Sequence, residues 1–64
     1  MTRQEKISKG KLWQVYFDSK PDFILFEGTS RSNCLGFIRK VYNIRDYKNG
    51  KIRIANVIFE PENS

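Results

Sequence analysis

Basic side chains are the residues of this sequence best suited to chemistry, and they concentrate in its second half. Residues 31–53 contain seven Lys or Arg residues and one acid, Asp46, which gives this stretch a net charge of +6. A positive stretch of this kind attracts anions, and contacts to nucleic-acid phosphates need no fixed geometry. The alternative explanation is that the charge, +5 over the chain of 64 residues, only keeps a small domain in solution.

Nucleic-acid binding, to DNA or to RNA, is therefore the leading specific hypothesis. Two of the predicted contact residues lie on the polar face of a predicted helix. The others surround the dipeptide Asn49-Gly50, and one of them is Tyr47. Tyr47, Tyr16 or Trp13 could stack on a base if exposed on the sheet. The sequence lacks the RNP1 pattern, the GXXG clamp and the zinc ligands of common nucleic-acid-binding folds, so the hypothesis rests on charge and aromatic residues. The predicted site comprises Arg39, Lys40, Tyr47, Lys48, Lys51 and Arg53.

Catalysis and metal binding have little support in the sequence. The chain has no histidine, which removes the most versatile acid–base group. The single cysteine, Cys34, falls on the apolar face of a predicted helix and has no second Cys or His with which to hold a metal. Asp18 and Asp22 lie close together in a predicted turn, where Asp is favoured for backbone reasons alone. We expect no enzymatic activity and no cofactor.

The cysteine content and the lack of long apolar runs indicate in which cellular compartment the protein is expected. One cysteine cannot form an intramolecular disulfide, which suits a reducing environment. The first ten residues lack the apolar stretch of a signal peptide, and no run approaches the roughly 18 apolar residues that span a bilayer. The sequence therefore predicts a cytoplasmic protein without membrane association.

Two strands and a hairpin are predicted in the first half of the chain. Residues 11–18 alternate in part and are rich in aromatic and β-branched side chains, which is typical of a strand. Residues 18–22 contain Pro21 and two Asp residues, which favours a turn. Residues 23–28 form a short apolar run closed by Gly28, which favours a second strand.

An amphipathic helix is predicted over residues 29–43. Its apolar residues cluster on one side at 100° per residue, and Thr29 or Ser30 can cap its N-terminus. Extending the helix to Arg45 would place a guanidinium group on the apolar face, so the helix should stop near Asn43. Gly36 weakens the helix interior, and a close approach by another group is one explanation for it.

Two interpretations of Asn49-Gly50 are open. Both residues tolerate positive φ, so the pair suits a type I′ hairpin turn that would place Lys48 opposite Lys51, Tyr47 opposite Ile52 and Asp46 opposite Arg53. The competing interpretation extends the predicted helix of residues 29–43 to about Lys48 and uses Gly50 as its C-terminal stop. The hairpin is favoured.

The predicted fold class is α+β, a small antiparallel sheet of three or four strands with one amphipathic helix on one face. The element order is β-β-α-β or β-β-α-β-β, with the last strand beginning at Lys51 and ending before Pro61. Residues 1–10 are predicted to be a flexible basic arm, residues 11–60 a single domain and residues 61–64 a polar tail.

Apolar side chains are predicted on both faces of this sheet, and one helix can cover only one of them. An exposed apolar sheet face usually marks an interface. The alternative functional hypothesis is therefore a protein-interaction module, a homodimer or a partner-binding adaptor, and the remaining possibility is that the monomer fills both sides itself.

Overall fold

The computed structural model describes residues 2–59 and has the predicted α+β class. Within these residues the sheet is antiparallel and has three strands, but three helices accompany it in place of the predicted one. The predicted tail, residues 61–64, lies outside the described residues. None of the helices within residues 2–59 is long and apolar enough to cross a membrane. In chain order the elements are α1 (Arg3–Ser8), β1 (Trp13–Phe17), β2 (Lys20–Gly28), α2 (Arg31–Val41), α3 (Ile44–Lys48) and β3 (Ile52–Asn56).

Strand β1 lies at the centre of the sheet, in the order β2-β1-β3, and pairs antiparallel with both neighbours. The β1–β2 hairpin is present, but β2 begins at Lys20 rather than at Phe23, so the turn is shorter than predicted. Pro21 lies within β2, where it is tolerated because β2 is an edge strand and an edge can lack an N–H group. Register shifts on either side of Tyr16 take up the extra residues of β2.

The hydrophobic core lies between the sheet and α2. Val15 of β1 is completely buried, together with Cys34 and Ile38 of α2 and Ile52 of β3. Aromatic side chains surround this cluster, and the rings of Phe26 and Phe37 stack with their centroids 4.6 Å apart. Burial raises the pKa of the Cys34 thiol, which agrees with its expected place among the core residues.

The predicted break in the helix is present and is made by Asn43. Helix α2 begins after Ser30, whose side chain accepts a hydrogen bond from the backbone N–H of Asn33, and its last residue is Val41. The Asn43 side chain then accepts a hydrogen bond from the backbone N–H of Arg45 and caps the new helix α3. The interruption leaves Arg45 exposed instead of carrying it onto the apolar face of α2.

The favoured hairpin at Asn49-Gly50 is wrong. Helix α3 continues to Lys48, and Gly50 ends it with φ +83°. The competing interpretation is therefore correct in the helix end and its glycine stop, but this helix is a separate one and not an extension of α2. Tyr47 and Lys48 are therefore helical, and the strand partner of Arg53 is Tyr16 rather than Asp46. The local signal misleads because Asn-Gly satisfies a helix C-terminus as well as a hairpin turn.

Helix α1 occupies the segment that was predicted to be a flexible arm. The Thr2 side chain accepts a hydrogen bond from the backbone N–H of Glu5 at the start of this helix, and Ile7 is buried. Arg3 donates two hydrogen bonds, of 2.7 and 2.8 Å, to the Glu27 carboxylate on β2. The domain boundaries at residues 10 and 60 stay a prediction.

The sheet face opposite α2 is more polar than the sequence suggested. The paired residues Gln14 and Glu27 share this face, and so do Tyr16 and Arg53. Exposed apolar side chains are present as well: Ile24, the partner of Tyr16 on this face, is exposed, and so are Phe23 on β2 and the residues beyond the end of β3. The face therefore mixes polar and apolar side chains, and the homodimer stays a prediction.

Gly28, at the end of β2, and Gly36, inside α2, should respond oppositely to alanine. A Cβ atom at Gly28 would lie 2.9 Å from the Asn33 Cβ and from a ring carbon of Phe26, whereas a Cβ atom at Gly36 meets nothing within 4 Å. Gly28→Ala should lower the free energy of unfolding by about 1–3 kcal/mol. Gly36→Ala should raise it by up to about 1 kcal/mol through helix propensity. Urea unfolding measures both, and a destabilised Gly36→Ala would show that the α2 surface is not open.

Glu27 should make the stability depend on pH. Hydrogen bonds from Arg3 and, second, from Gln14 lower the pKa of the Glu27 carboxyl below its ordinary value. Its contribution to stability is therefore fully present above the unfolded-state pKa and is lost as the pH falls through the folded-state pKa. Urea unfolding should be measured at about pH 6 and at about pH 3. Between these pH values the free energy of unfolding should fall less for Glu27→Gln than for the wild type.

Asp22→Asn is the matched control for this pH effect. Asp22 is exposed and has no hydrogen bond or ion pair among residues 2–59. In Asp22→Asn the free energy of unfolding should fall between the two pH values by the same amount as in the wild type. Equal pH sensitivity in Glu27→Gln and the wild type would contradict the assignment.

Candidate nucleic-acid interface

An open cleft lies at the outer edge of β3. Its volume is about 430 Å³, within the range of roughly 300–1,000 Å³ typical of small-ligand pockets. Its walls combine aromatic, basic and apolar side chains, and we call it the edge cleft. The residues that line it are Tyr16, Tyr47, Lys48, Gly50, Ile52, Arg53 and Ile54.

The backbone of β3 presents hydrogen-bonding groups at this edge. The Lys51 carbonyl accepts from Asp18 at 2.9 Å and the Val57 N–H donates to Leu12 at 2.8 Å, so both groups point toward β1. Backbone groups alternate in direction along an antiparallel strand. The N–H and C=O groups of Ile52 and Ile54 therefore point away from β1, toward the outer edge.

Helix α3 brings Tyr47 and Lys48 to the cleft. The Tyr47 ring packs against the core, and its hydroxyl accepts a hydrogen bond from Arg31. The Arg31 guanidinium also lies 5.7 Å from the centroid of the same ring, which is a cation–π distance. These contacts fix the Tyr47 ring, whereas the Lys48 side chain is exposed to solvent.

Arg53 supplies the second cation. Its Nε donates a hydrogen bond to the Asp18 carboxylate, and both side chains are 55% exposed. The two Nη groups have no partner among residues 2–59, so they remain available to an anion. Asp18 lowers the local positive charge without occupying all the donors of the guanidinium group.

A second cleft of about 540 Å³ adjoins the edge cleft and shares Gly50 and Ile52 with it. Lys51 lines this second cleft together with two acids, Asp18 and Asp46. The carboxylates reduce the attraction of this second cleft for phosphates. Lys51 is therefore a weaker candidate for phosphate contact than Lys48.

The structure gathers only part of the predicted site. Tyr47, Lys48 and Arg53 meet in the edge cleft, and Lys51 lies beside it. Arg39 and Lys40 are exposed near the end of α2 and line neither of the two clefts.

Tyr16 and Arg31 belong to this region but were absent from the predicted site. Tyr16 lines the edge cleft because it pairs with Arg53 across β1 and β3, and no local sequence pattern reveals that these strands pair. The contact of Arg31 with Tyr47 likewise joins residues 16 positions apart.

Comparisons with known proteins yielded no relative. A scan against protein-family models, a search of curated proteins and a search of solved structures each found no match. Among the residues that the structure describes, no group of three or more His, Cys, Asp or Glu side chains could hold a metal ion.

Asp18→Asn tests the exposed ion pair at the cleft. Because both partners are more than half exposed, the loss in the free energy of unfolding should stay below about 1 kcal/mol and shrink as salt is added. Urea unfolding at low and high salt measures this. A loss above about 2 kcal/mol would mean that Asp18 has a structural role beyond the pair.

Proposed function

We propose that this protein is a non-enzymatic binding module that contacts nucleic-acid phosphates through the edge cleft. The observation that carries the proposal is the meeting of Lys48 and Arg53 with two tyrosines in one open cleft. Cations attract the phosphate backbone and release its counterions, and aromatic rings add contacts to bases. Five of the seven residues that line the cleft belong to the stretch of the chain with the highest positive charge, residues 31–53.

The remaining predicted residues extend this surface. Arg39 and Lys40 are exposed on α2, and we assign them to phosphates that lie beyond the cleft. Lys51 contacts the backbone from the adjoining cleft. No cofactor is required for such binding, and a cytoplasmic location would give access to RNA or DNA.

Protein binding is the second candidate, and the backbone of β3 favours it. The outward N–H and C=O groups of Ile54 can pair with an added strand from a partner or from a second copy of the chain, whereas those of Ile52 are buried. Exposed apolar side chains beyond β3, Ile58 at 79% and Phe59 at 76%, could extend such an interface. Binding of this kind would depend little on salt, which separates it from the first candidate.

Lys48→Ala combined with Lys51→Ala tests the nucleic-acid proposal. Fluorescence anisotropy with labelled DNA and RNA oligonucleotides should show weaker binding than the wild type. The slope of log K against log salt concentration should become shallower by roughly 1–2, since up to two phosphate contacts are lost. Asp18→Asn should tighten binding, because it removes the carboxylate that competes for Arg53.

Lys9→Ala combined with Lys20→Ala is the matched control. It removes the same charge from exposed positions that line neither cleft. The control should retain most of the wild-type affinity and slope. Absence of oligonucleotide binding by the wild type at low salt would end the proposal, and equal losses in both double variants would reduce it to nonspecific charge attraction.

A further inference from the structure

The edge cleft places a tyrosine ring beside a cation on the same sheet face. Tyr16 and Arg53 are direct partners across β1 and β3. Side chains of such a pair lie on one face with their Cβ atoms about 5 Å apart. In a nucleotide the distance between the flat base and the phosphate is similar to the spacing of these two side chains. One nucleotide can therefore contact the Tyr16 ring with its base and the Arg53 guanidinium with its phosphate.

The two tyrosines of the cleft are not equivalent. Tyr47 is engaged through its hydroxyl and its ring by Arg31 and packs against the core. The Tyr16 side chain makes no hydrogen bond and no ring contact within residues 2–59, and it is partly exposed. Tyr16 rather than Tyr47 therefore has a ring free to stack on an incoming group.

We propose that the edge cleft binds single-stranded nucleic acid, with an unpaired base stacked on Tyr16 and its phosphate held by Arg53 and Lys48; this rests on the proposed function. In a duplex both faces of each base are covered by neighbouring base pairs, so the Tyr16 ring cannot stack on a base there. An unpaired base offers a free face to the ring.

The test compares Tyr16→Leu with Tyr16→Phe, which keeps the ring. Anisotropy should be measured with a labelled single-stranded oligonucleotide, with the matching duplex and with poly-glutamate as a polyanion that lacks bases. Tyr16→Leu should weaken single-strand binding about 5- to 100-fold and leave duplex and poly-glutamate binding unchanged. Tyr16→Phe should stay within about twofold of the wild type, and the wild type should prefer the single strand to the duplex.

A spectroscopic measurement on the wild type covers the case in which Tyr16→Leu does not fold. An oligonucleotide carrying 2-aminopurine should lose fluorescence on binding to the wild type and to Tyr16→Phe, because stacking on a ring quenches the base analogue. Binding without this quenching would overturn the assignment of Tyr16.

The outcomes also separate this inference from the proposed function. Equal affinity for single strand and duplex, with no effect of Tyr16→Leu, overturns the single-strand inference and leaves phosphate binding intact. No binding to either oligonucleotide overturns both. A third outcome is that the wild type and Tyr16→Leu both bind poly-glutamate as tightly as they bind the single strand. That outcome would identify the cleft as a charge-driven site and overturn the inference.

Discussion

The central position of β1 is the constraint on which the rest of the structure depends. Val15 of this strand is completely buried, because β2 and β3 flank it and Ile38 of α2 belongs to the same buried cluster. A chain of 64 residues has few such positions, and small domains have little stability to lose. Once β1 is central in a three-stranded sheet, β3 must be an edge strand, and its outward backbone groups and the cleft beside it follow from that placement.

The helical connection between β2 and β3 then determines which side chains reach this edge. The break at Asn43 redirects the chain, so that α3 runs alongside β3 and delivers Tyr47 and Lys48 to the cleft. An uninterrupted helix would have turned Arg45 toward the core, where an unpaired charge is costly. The same constraint that keeps the charge out of the core thus places basic residues at the sheet edge.

The sequence predicted the elements whose local pattern fits one structure and missed those whose pattern is ambiguous or too short. The apolar stripe of α2, its stop near Asn43 and the β1–β2 hairpin were recoverable from periodicity and turn residues. The segment around Asn49-Gly50 was not, because the same dipeptide fits two structures and only the surrounding packing selects one. The short α1 was missed because Ile7 alone gives no periodic signal.

The candidate site also has a part that the sequence predicts, its charge, and a part that it does not, the contacts between distant residues. Lys48 and Arg53 could be named from the charge of residues 31–53, since charge requires no knowledge of contacts. The sequence offered Tyr16 only as one possible stacking residue, because its pairing with Arg53 exists only after β3 has paired with β1. Lys51, which sequence proximity grouped with Lys48 and Arg53, instead lines a second cleft together with Asp18 and Asp46. The proposed anion binding at this edge would therefore depend as much on where those carboxylates lie as on the number of lysines and arginines.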